Sequence, residues 1–211
     1  MPTSISDALF SFALALAASA RVFTAKQLAT HPYLRDRTQP ARRAREFLRA
    51  HSDTFEKTRG VANHPCLWRL TSTAKRRYGL NFKSVAGDTQ RREHWLGLGD
   101  LWIALTYAGG RPTQWCTEPH AQFDVMLEWQ SIKAVVEYQR TPITTKQWAE
   151  KWRKRREWYK AQQFLEPVAV VLVVTTNQTD STIQAPKGTI VCRSVDEVPR
   201  ALRRISVGNG T

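Results

Sequence analysis

The sequence predicts a mixed α/β chain in two parts, a small helix-rich part followed by an α/β sandwich. Three observations carry this expectation. Helical periodicity fills most of the first fifty residues and ends on two short strand-like runs; helical and strand-like runs alternate from His94 onward; residues 80–92 between them break every periodicity. The 211 residues suffice for one large or two small domains, and 42% hydrophobic with 24% charged is an ordinary globular balance. The expected division is 1–80, a linker at 81–92, and 93–211.

Taken in order, residues 5–20 suit a helix. The run Leu9 to Ala20 imitates a signal-peptide core, but no Lys or Arg precedes it, Asp7 does, and it is too short to span a membrane. Burial in a small domain is the expected role. Thr24 to Thr30 suits a short helix with Thr24 as N-cap, and Pro40 opens a third that runs to Ala50. In that third helix Ala44, Phe47 and Leu48 face a core, while Arg42, Arg43, Arg45 and Arg49 stay on the surface. Thr54–Thr58 and Cys66–Thr71 then read as two strands joined by 59–65. Three helices and a hairpin make a winged helix-turn-helix, with Lys75, Arg76 and Arg77 just after the wing.

In the second part, His94–Tyr107 carries Trp95, Leu98, Trp102 and Leu105 at steps of three and four, although Gly97 and Gly99 weaken the helix. Gly109 and Gly110 stop it. Thr113–Glu118, Phe123–Leu127 and Ala134–Gln139 are the next three strands. Thr145 starts a basic helix reaching about Gln163, with Trp148, Trp152 and Tyr159 on one face and Lys151, Arg153, Lys154 and Arg156 flanking or opposite. Its tryptophans suit a core better than base stacking. After Pro167, the β-branched run Val168–Val174 suits a central strand covered on both faces, followed by a strand at Thr189–Arg193 and a helix at Asp196–Ile205. This order fits an α/β/α sandwich around a small mixed sheet.

The net charge of +14, with an isoelectric point near 10.3, favours a polyanionic partner, nucleic acid first. Through Arg92 there are 17 Lys/Arg against 6 Asp/Glu, leaving 15 against 12, so the first part is the more basic. Cys66, Cys116 and Cys192 are odd in number and lack Cys-x-x-Cys spacing, which suits reduced thiols in the cytoplasm rather than a zinc site. His31, His51 and His64 have no catalytic partner, so a structural role is expected of them. No Ser-His-Asp motif, phosphate-binding glycine loop or paired-His motif supports a protease, esterase or ATPase. A tyrosine nucleophile of the relaxase kind needs clustered histidines, which this chain lacks.

Chemistry concentrates at Asp124, Glu137 and Gln139. If Gln130-Ser131 is a two-residue hairpin tip, paired positions sum to 261 and Asp124 faces Glu137. Like charges opposed across a ladder destabilise it, so the pair requires a cation, for which a divalent metal is the candidate. Period two places Gln139 on the face of Glu137. The alternative is a salt-bridged pair with Lys133 or Arg140 as partner.

Residues 93–195 resemble the PD-(D/E)xK nuclease fold, whose element order is the one above. An acidic residue opens its second strand and an acid-x-Lys triplet lies on the third; Asp124 and Glu137-Tyr138-Gln139 occupy those places, and Glu118 falls where many members carry a further acid. Phe123 replaces the motif's proline and Gln139 its lysine. The family's lysine steers or activates the attacking water, which a neutral amide cannot do, and Lys146 or Lys151 of the following helix are candidates to substitute. A closer resemblance is to the replication-relaxation family of plasmid and mobile-element proteins, which place a winged helix before such a domain. It rests on Leu70-Thr71 with Gly79, His94 with Asp100, Glu118, Asp124, Glu137 to Thr141, and the basic helix containing Tyr159. That family typically has Glu-x-Asp where this chain has Glu-x-Gln.

The resemblance implies a prokaryotic, DNA-associated protein that cleaves or nicks plasmid DNA with Mg²⁺ or Mn²⁺. Asp124 and Glu137 would hold the ion, Glu118 would hold a second ion or orient a water, and Gln139 would hydrogen-bond the nucleophile. Double-stranded DNA would be held by Arg42, Arg43, Arg45, Arg49, Lys75, Arg76 and Arg77, and by Lys146, Lys151 and Lys154 beside the site. One site per chain nicks one strand; cutting both requires a homodimer or a second encounter. The rival expectation is an inactive nuclease fold serving a replication initiator or transcriptional regulator that binds DNA.

Overall fold

The computed structural model describes residues 4–58, 64–85, 91–118, 123–161, 168–175 and 187–208. The expected strand-joining residues 59–63, residues 86–90 of the expected linker, and 162–167 with Pro167 and the expected end of the basic helix lie outside them. The chain divides into two compact units, Met1–Ile103 and Ala104–Thr211. The division falls inside a helix, α6.

In the first unit, α1 (Ile5–Ala20) starts on Ser4, whose hydroxyl accepts the Asp7 N–H, and buries Leu9, Phe12, Ala13, Leu16, Ala17 and Ala20. The signal-like run is therefore the buried stripe of a helix. A two-residue strand, β1 (Phe23–Thr24), leads into α2 (Ala25–Leu28). Thr24 and Gln27 form a full capping box: Thr24 Oγ1 accepts the Gln27 N–H at 3.1 Å and Gln27 Oε1 accepts the Thr24 N–H at 2.9 Å. The buried Gln27 amide also donates to Leu96 O and Asp100 Oδ1, both at 2.8 Å. No room is left for a side chain at position 99, where a Cβ would come within 2.9 Å of Gln27 Nε2 and 3.2 Å of Ala20 Cβ. Gly97 and Gly99 thus sit inside a continuous helix, and Gly99 has a packing reason.

A short helix, α3 (Pro32–Arg35), precedes α4 (Pro40–Ala50), each with proline in its first turn. Ala44 and Leu48 are buried, Phe47 is half-buried, and Arg42, Arg43, Arg45 and Arg49 are exposed, as the periodicity requires. Strands β2 (Phe55–Lys57) and β3 (Leu67–Leu70) pair antiparallel, and β1 adds to the other side of β3, giving the order β1-β3-β2. Helix α5 (Ser72–Arg77) is capped by Thr71 and carries Lys75, Arg76 and Arg77, the three basic residues that follow the expected wing. Residues 80–85 have no regular structure but are tied down: Arg69 Nη1 donates to Val85 O at 3.0 Å, and Lys75 Nζ to Ser84 Oγ at 2.8 Å.

Helix α6 (Arg92–Gly109) buries Trp95, Leu98, Trp102 and Leu105. In the second unit follow β4 (Gln114–Thr117), β5 (Val125–Trp129), β6 (Ile132–Gln139), α7 (Thr145–Ala161), β7 (Ala169–Val174), β8 (Thr189–Cys192), a 3₁₀ turn at Val195–Glu197 and α8 (Val198–Gly208). The sheet runs β4-β5-β6-β7-β8, antiparallel across its first three strands and parallel from β6 to β8. It is a mixed five-stranded sheet in an α/β protein. Val135, Leu172 and Val174 on one face pack with Trp148 and Trp152 of α7 and with Phe123, so both tryptophans are core. The other face carries Trp129, whose indole N–H reaches Leu105 O at 3.1 Å and Gly110 O at 2.9 Å. No helix among the described residues is long and apolar enough to cross a membrane.

Candidate functional site

The β5–β6 hairpin turns through Gln130 and Ser131, both at positive φ (51° and 63°), as a two-residue primed turn requires. Its pairs are Val125↔Val136, Leu127↔Ala134 and Trp129↔Ile132, each summing to 261. One step beyond, the Asp124 N–H donates to Val136 O at 3.0 Å, and Asp124 Oδ2 accepts the Tyr138 N–H at 2.7 Å. The bond to Val136 O is one residue out of the ladder, whose pairs end at Val125↔Val136. Asp124 is tied to β6 beside Glu137 through its carboxylate on the Tyr138 N–H, and is not the cross-strand partner of Glu137 that the 261 sum predicts. On its other side the Glu118 N–H donates to Asp124 O at 2.8 Å, continuing the register Thr117↔Val125. Hydrogen bonds therefore link Glu118 to Asp124 directly, and Asp124 to the two chain neighbours of Glu137, Val136 and Tyr138. Glu118 adopts a left-handed backbone (φ 52°), an uncommon state for a residue with a side chain. Among the described residues, no three His, Cys, Asp or Glu side chains converge as a metal-holding group.

Glu137 and Gln139 face α7, the same side as Val135, and both are buried at 1% and 5% exposure. A capping box at Thr144 and Gln147 starts α7 and fixes its phase: Thr144 N donates to Gln147 Oε1 at 3.0 Å and Gln147 N to Thr144 Oγ1 at 3.3 Å. Trp148 and Trp152 then anchor one stripe, and Lys151 and Arg155, four apart, lie beside it over β6. The Lys151 ammonium meets Glu137 Oε1 and donates to Gln139 Oε1 at 2.7 Å. Arg155 donates to Glu137 Oε2 from Nε at 2.9 Å and from Nη2 at 2.5 Å, while Gln139 Nε2 reaches Thr141 O at 2.5 Å. The cations facing Glu137 thus come from α7, not from Lys133 or Arg140 of the hairpin.

Burial of Glu137 pushes its carboxyl above the ordinary carboxylate range, the charge of Asp124 adds to the rise, and Lys151 and Arg155 pull against both. Asp124 thus acts electrostatically on Glu137, as two neighbouring carboxylates must. Pairing in a low-dielectric site compensates the buried charge only where geometry is good, and Arg155 supplies that with two N–H groups on one oxygen. Arg155 was not among the residues singled out from the sequence. Its signal was present: it lies four residues from Lys151 and three from Trp152.

The remaining basic residues separate into two kinds. Arg42, Arg43, Arg45, Arg49, Arg76, Arg77, Lys146 and Lys154 are exposed. Lys75 and Lys151 are half-buried and bonded within the chain, Lys75 to Phe82 O and Ser84 Oγ, Lys151 to the buried pair. Arg42 also pairs with Glu46 at 2.9 Å, Arg77 with Asp53 at 3.4 Å and Lys154 with Glu150 at 3.5 Å. In comparisons with known proteins, the chain matches no family model, and no curated protein and no solved structure proved significantly similar to it.

Proposed function

We propose that this chain is a DNA-binding, metal-dependent endonuclease that nicks or cleaves plasmid or mobile-element DNA. The observation that carries the reading is the position of Lys151. The resemblance to PD-(D/E)xK nucleases left Gln139 where a lysine belongs; α7 brings a lysine ammonium to the Gln139 amide oxygen and the Glu137 carboxylate. In this reading the acid, acid and lysine set is assembled from the residue before β5, from β6 and from α7. The first unit supports the binding half: α1, α2 and α4 with the antiparallel β1-β3-β2 sheet have the order of a winged helix-turn-helix, and α4 keeps four arginines exposed. The kinship with replication-relaxation proteins belongs to the same proposal.

The oxygen donors of Asp124 and Glu137 suit Mg²⁺ or Mn²⁺, and the burial and Asp124 charge that raise the Glu137 pKa are both offset by such an ion. Bound there, the ion would lower the pKa of a water and offset charge on the scissile phosphate. Both Glu137 oxygens are engaged by Lys151 and Arg155, so Lys151 must yield Oε1 to any ion that takes it. Lys151, released to Gln139, orients the attacking water and offers it a cation; Gln139 holds the lysine in place. Asp124 keeps its carboxylate fixed through the Tyr138 N–H. Arg155 remains on Glu137 and offsets part of the cost of its buried charge.

A second reading has its own observation. Arg155 and Lys151 neutralise Glu137 without a metal, and no three-carboxylate group forms among the described residues, which favours a nuclease-like scaffold in a DNA-binding initiator or regulator. Incubating supercoiled plasmid with the protein and Mg²⁺ or Mn²⁺ separates the two. The endonuclease nicks or linearises it, and Asp124→Ala abolishes this while DNA retention in a gel-shift persists. Retention without cleavage, across both metals and across supercoiled, linear and single-stranded DNA, leaves the scaffold reading.

A further inference from the structure

Beside the Glu137 network, on the side of α7 toward the beginnings of β7 and β8, lies a cavity of about 320 Å³. Small-molecule sites span roughly 300 to 1,000 Å³, so this one has room for a single nucleotide unit and not for a longer segment. Its apolar wall is Phe123, Trp152, Val168 and Val170. Its polar wall carries four cations, Arg155, Arg156, Lys160 and Lys187, together with Thr189, and no carboxylate among the described residues. Arg156, Lys160 and Lys187 have no carboxylate partner among the described residues, unlike Arg153 and Lys154 of the same helix, which pair with Glu150.

We propose that this cavity binds one nucleoside monophosphate unit, its phosphate held by Arg156, Lys160 and Lys187 and its base against the apolar wall of Phe123, Trp152, Val168 and Val170. Three cations without a carboxylate partner among the described residues, on one concave site, attract a multiply charged anion; an aromatic and aliphatic wall beside them selects an anion with a flat apolar part. Arg155 links the cavity to Glu137, because its guanidinium lines the one and bonds the other. The unit can arrive as a free nucleotide or as the phosphorylated end of a DNA strand. Only the second source rests on the proposed DNA function.

The test is equilibrium binding to the full chain, read by tryptophan fluorescence and by calorimetry, with thymidine 5′-monophosphate, inorganic phosphate, and a short single-stranded oligonucleotide with or without a 5′-phosphate. The expected result is saturable binding of one thymidine 5′-monophosphate per chain, at least tenfold tighter than inorganic phosphate. Arg156→Gln with Lys187→Gln weakens it at least tenfold, at an unchanged unfolding midpoint. A 5′-phosphorylated oligonucleotide that binds at least tenfold tighter than its 5′-hydroxyl form, through the same two residues, identifies a strand end as the source; equal binding of the two forms identifies the free nucleotide. Asp124→Ala leaves all of this unchanged, so loss of the nuclease reading and loss of this one are separable. Absence of saturable nucleotide binding, equal affinity for inorganic phosphate, or an undiminished affinity in the double variant overturns the proposal.

Discussion

Helices α4 and α7 are both arginine- and lysine-rich, and they use their charge in opposite directions. In α4 the apolar stripe is narrow, Ala44 and Leu48, and the arginines remain in solvent; Arg42 and its partner Glu46 are 63% and 51% exposed. In α7 the stripe is built of tryptophans, and two of its cations turn with them over the sheet. The Lys151 and Arg155 side chains are 23% and 12% exposed, against a Glu137 that is 2% exposed. A charge run on a helix therefore carries no fixed meaning. Solvent screens exposed pairs, so α4 is free to meet a polyanion; a buried pair is a structural commitment whose removal strands a charge.

The largest expected effect follows from that commitment. Arg155→Ala leaves Glu137 buried with one cation and costs about 3–5 kcal/mol, lowering the thermal midpoint by roughly 6–20 °C in calorimetry. A drop no larger than that of an α4 arginine would erase the distinction between the helices. Next, replacing Arg42, Arg43, Arg45 and Arg49 together by glutamine weakens duplex binding. It reduces the slope of log affinity against log salt by up to about four, since each phosphate contact contributes about 0.9. An unchanged slope in a filter-binding titration places the DNA contacts elsewhere.

The register of the hairpin was legible because two local signals agree: a polar two-residue tip and alternation on either side, so that a shift of one residue would expose Val125, Leu127 and Trp129. The Thr24 cap and the inward face of α4 were legible for the same reason, being set within a few residues. Elements whose cause is remote were not. Strand β1 has two residues and exists because β3 lies beside it, with Phe23 opposite Trp68. Helix α5 was masked by its closeness to β3, although Thr71 caps it. Arg155 meets Glu137 across eighteen positions and a crossover, and periodicity gives the face of a helix without its depth. The linker expected at 81–92 looked aperiodic in sequence, while Arg69 and Lys75 fasten its described part by bonds to Val85, Phe82 and Ser84.

A smaller effect is expected from pH. The Glu137 carboxyl titrates above its ordinary value of 4.5, so between that pH and the raised one the native chain holds a proton that the unfolded chain has released. Stability therefore falls as pH rises through that window, and Glu137→Gln removes this contribution to the slope. Urea midpoints measured at intervals from pH 4.5 to 7 check the sign; a wild-type midpoint that climbs relative to the variant contradicts it. The smallest effect belongs to Arg49→Ala, which leaves the thermal midpoint within about 2 °C, as surface substitutions away from special features do.

The central claim is that α7 supplies the cation which β6 lacks, and moving that cation tests it most directly. Plasmid nicking with Mg²⁺ or Mn²⁺ is compared for the wild type, Lys151→Gln, and Lys151→Gln combined with Gln139→Lys, with folding checked by circular dichroism. The single variant is expected to lose at least a hundredfold in rate, about 2.7 kcal/mol of barrier, and the double variant to recover to within tenfold of the wild type. Nicking by Lys151→Gln at the wild-type rate, or a folded double variant as inactive as the single one, contradicts the account.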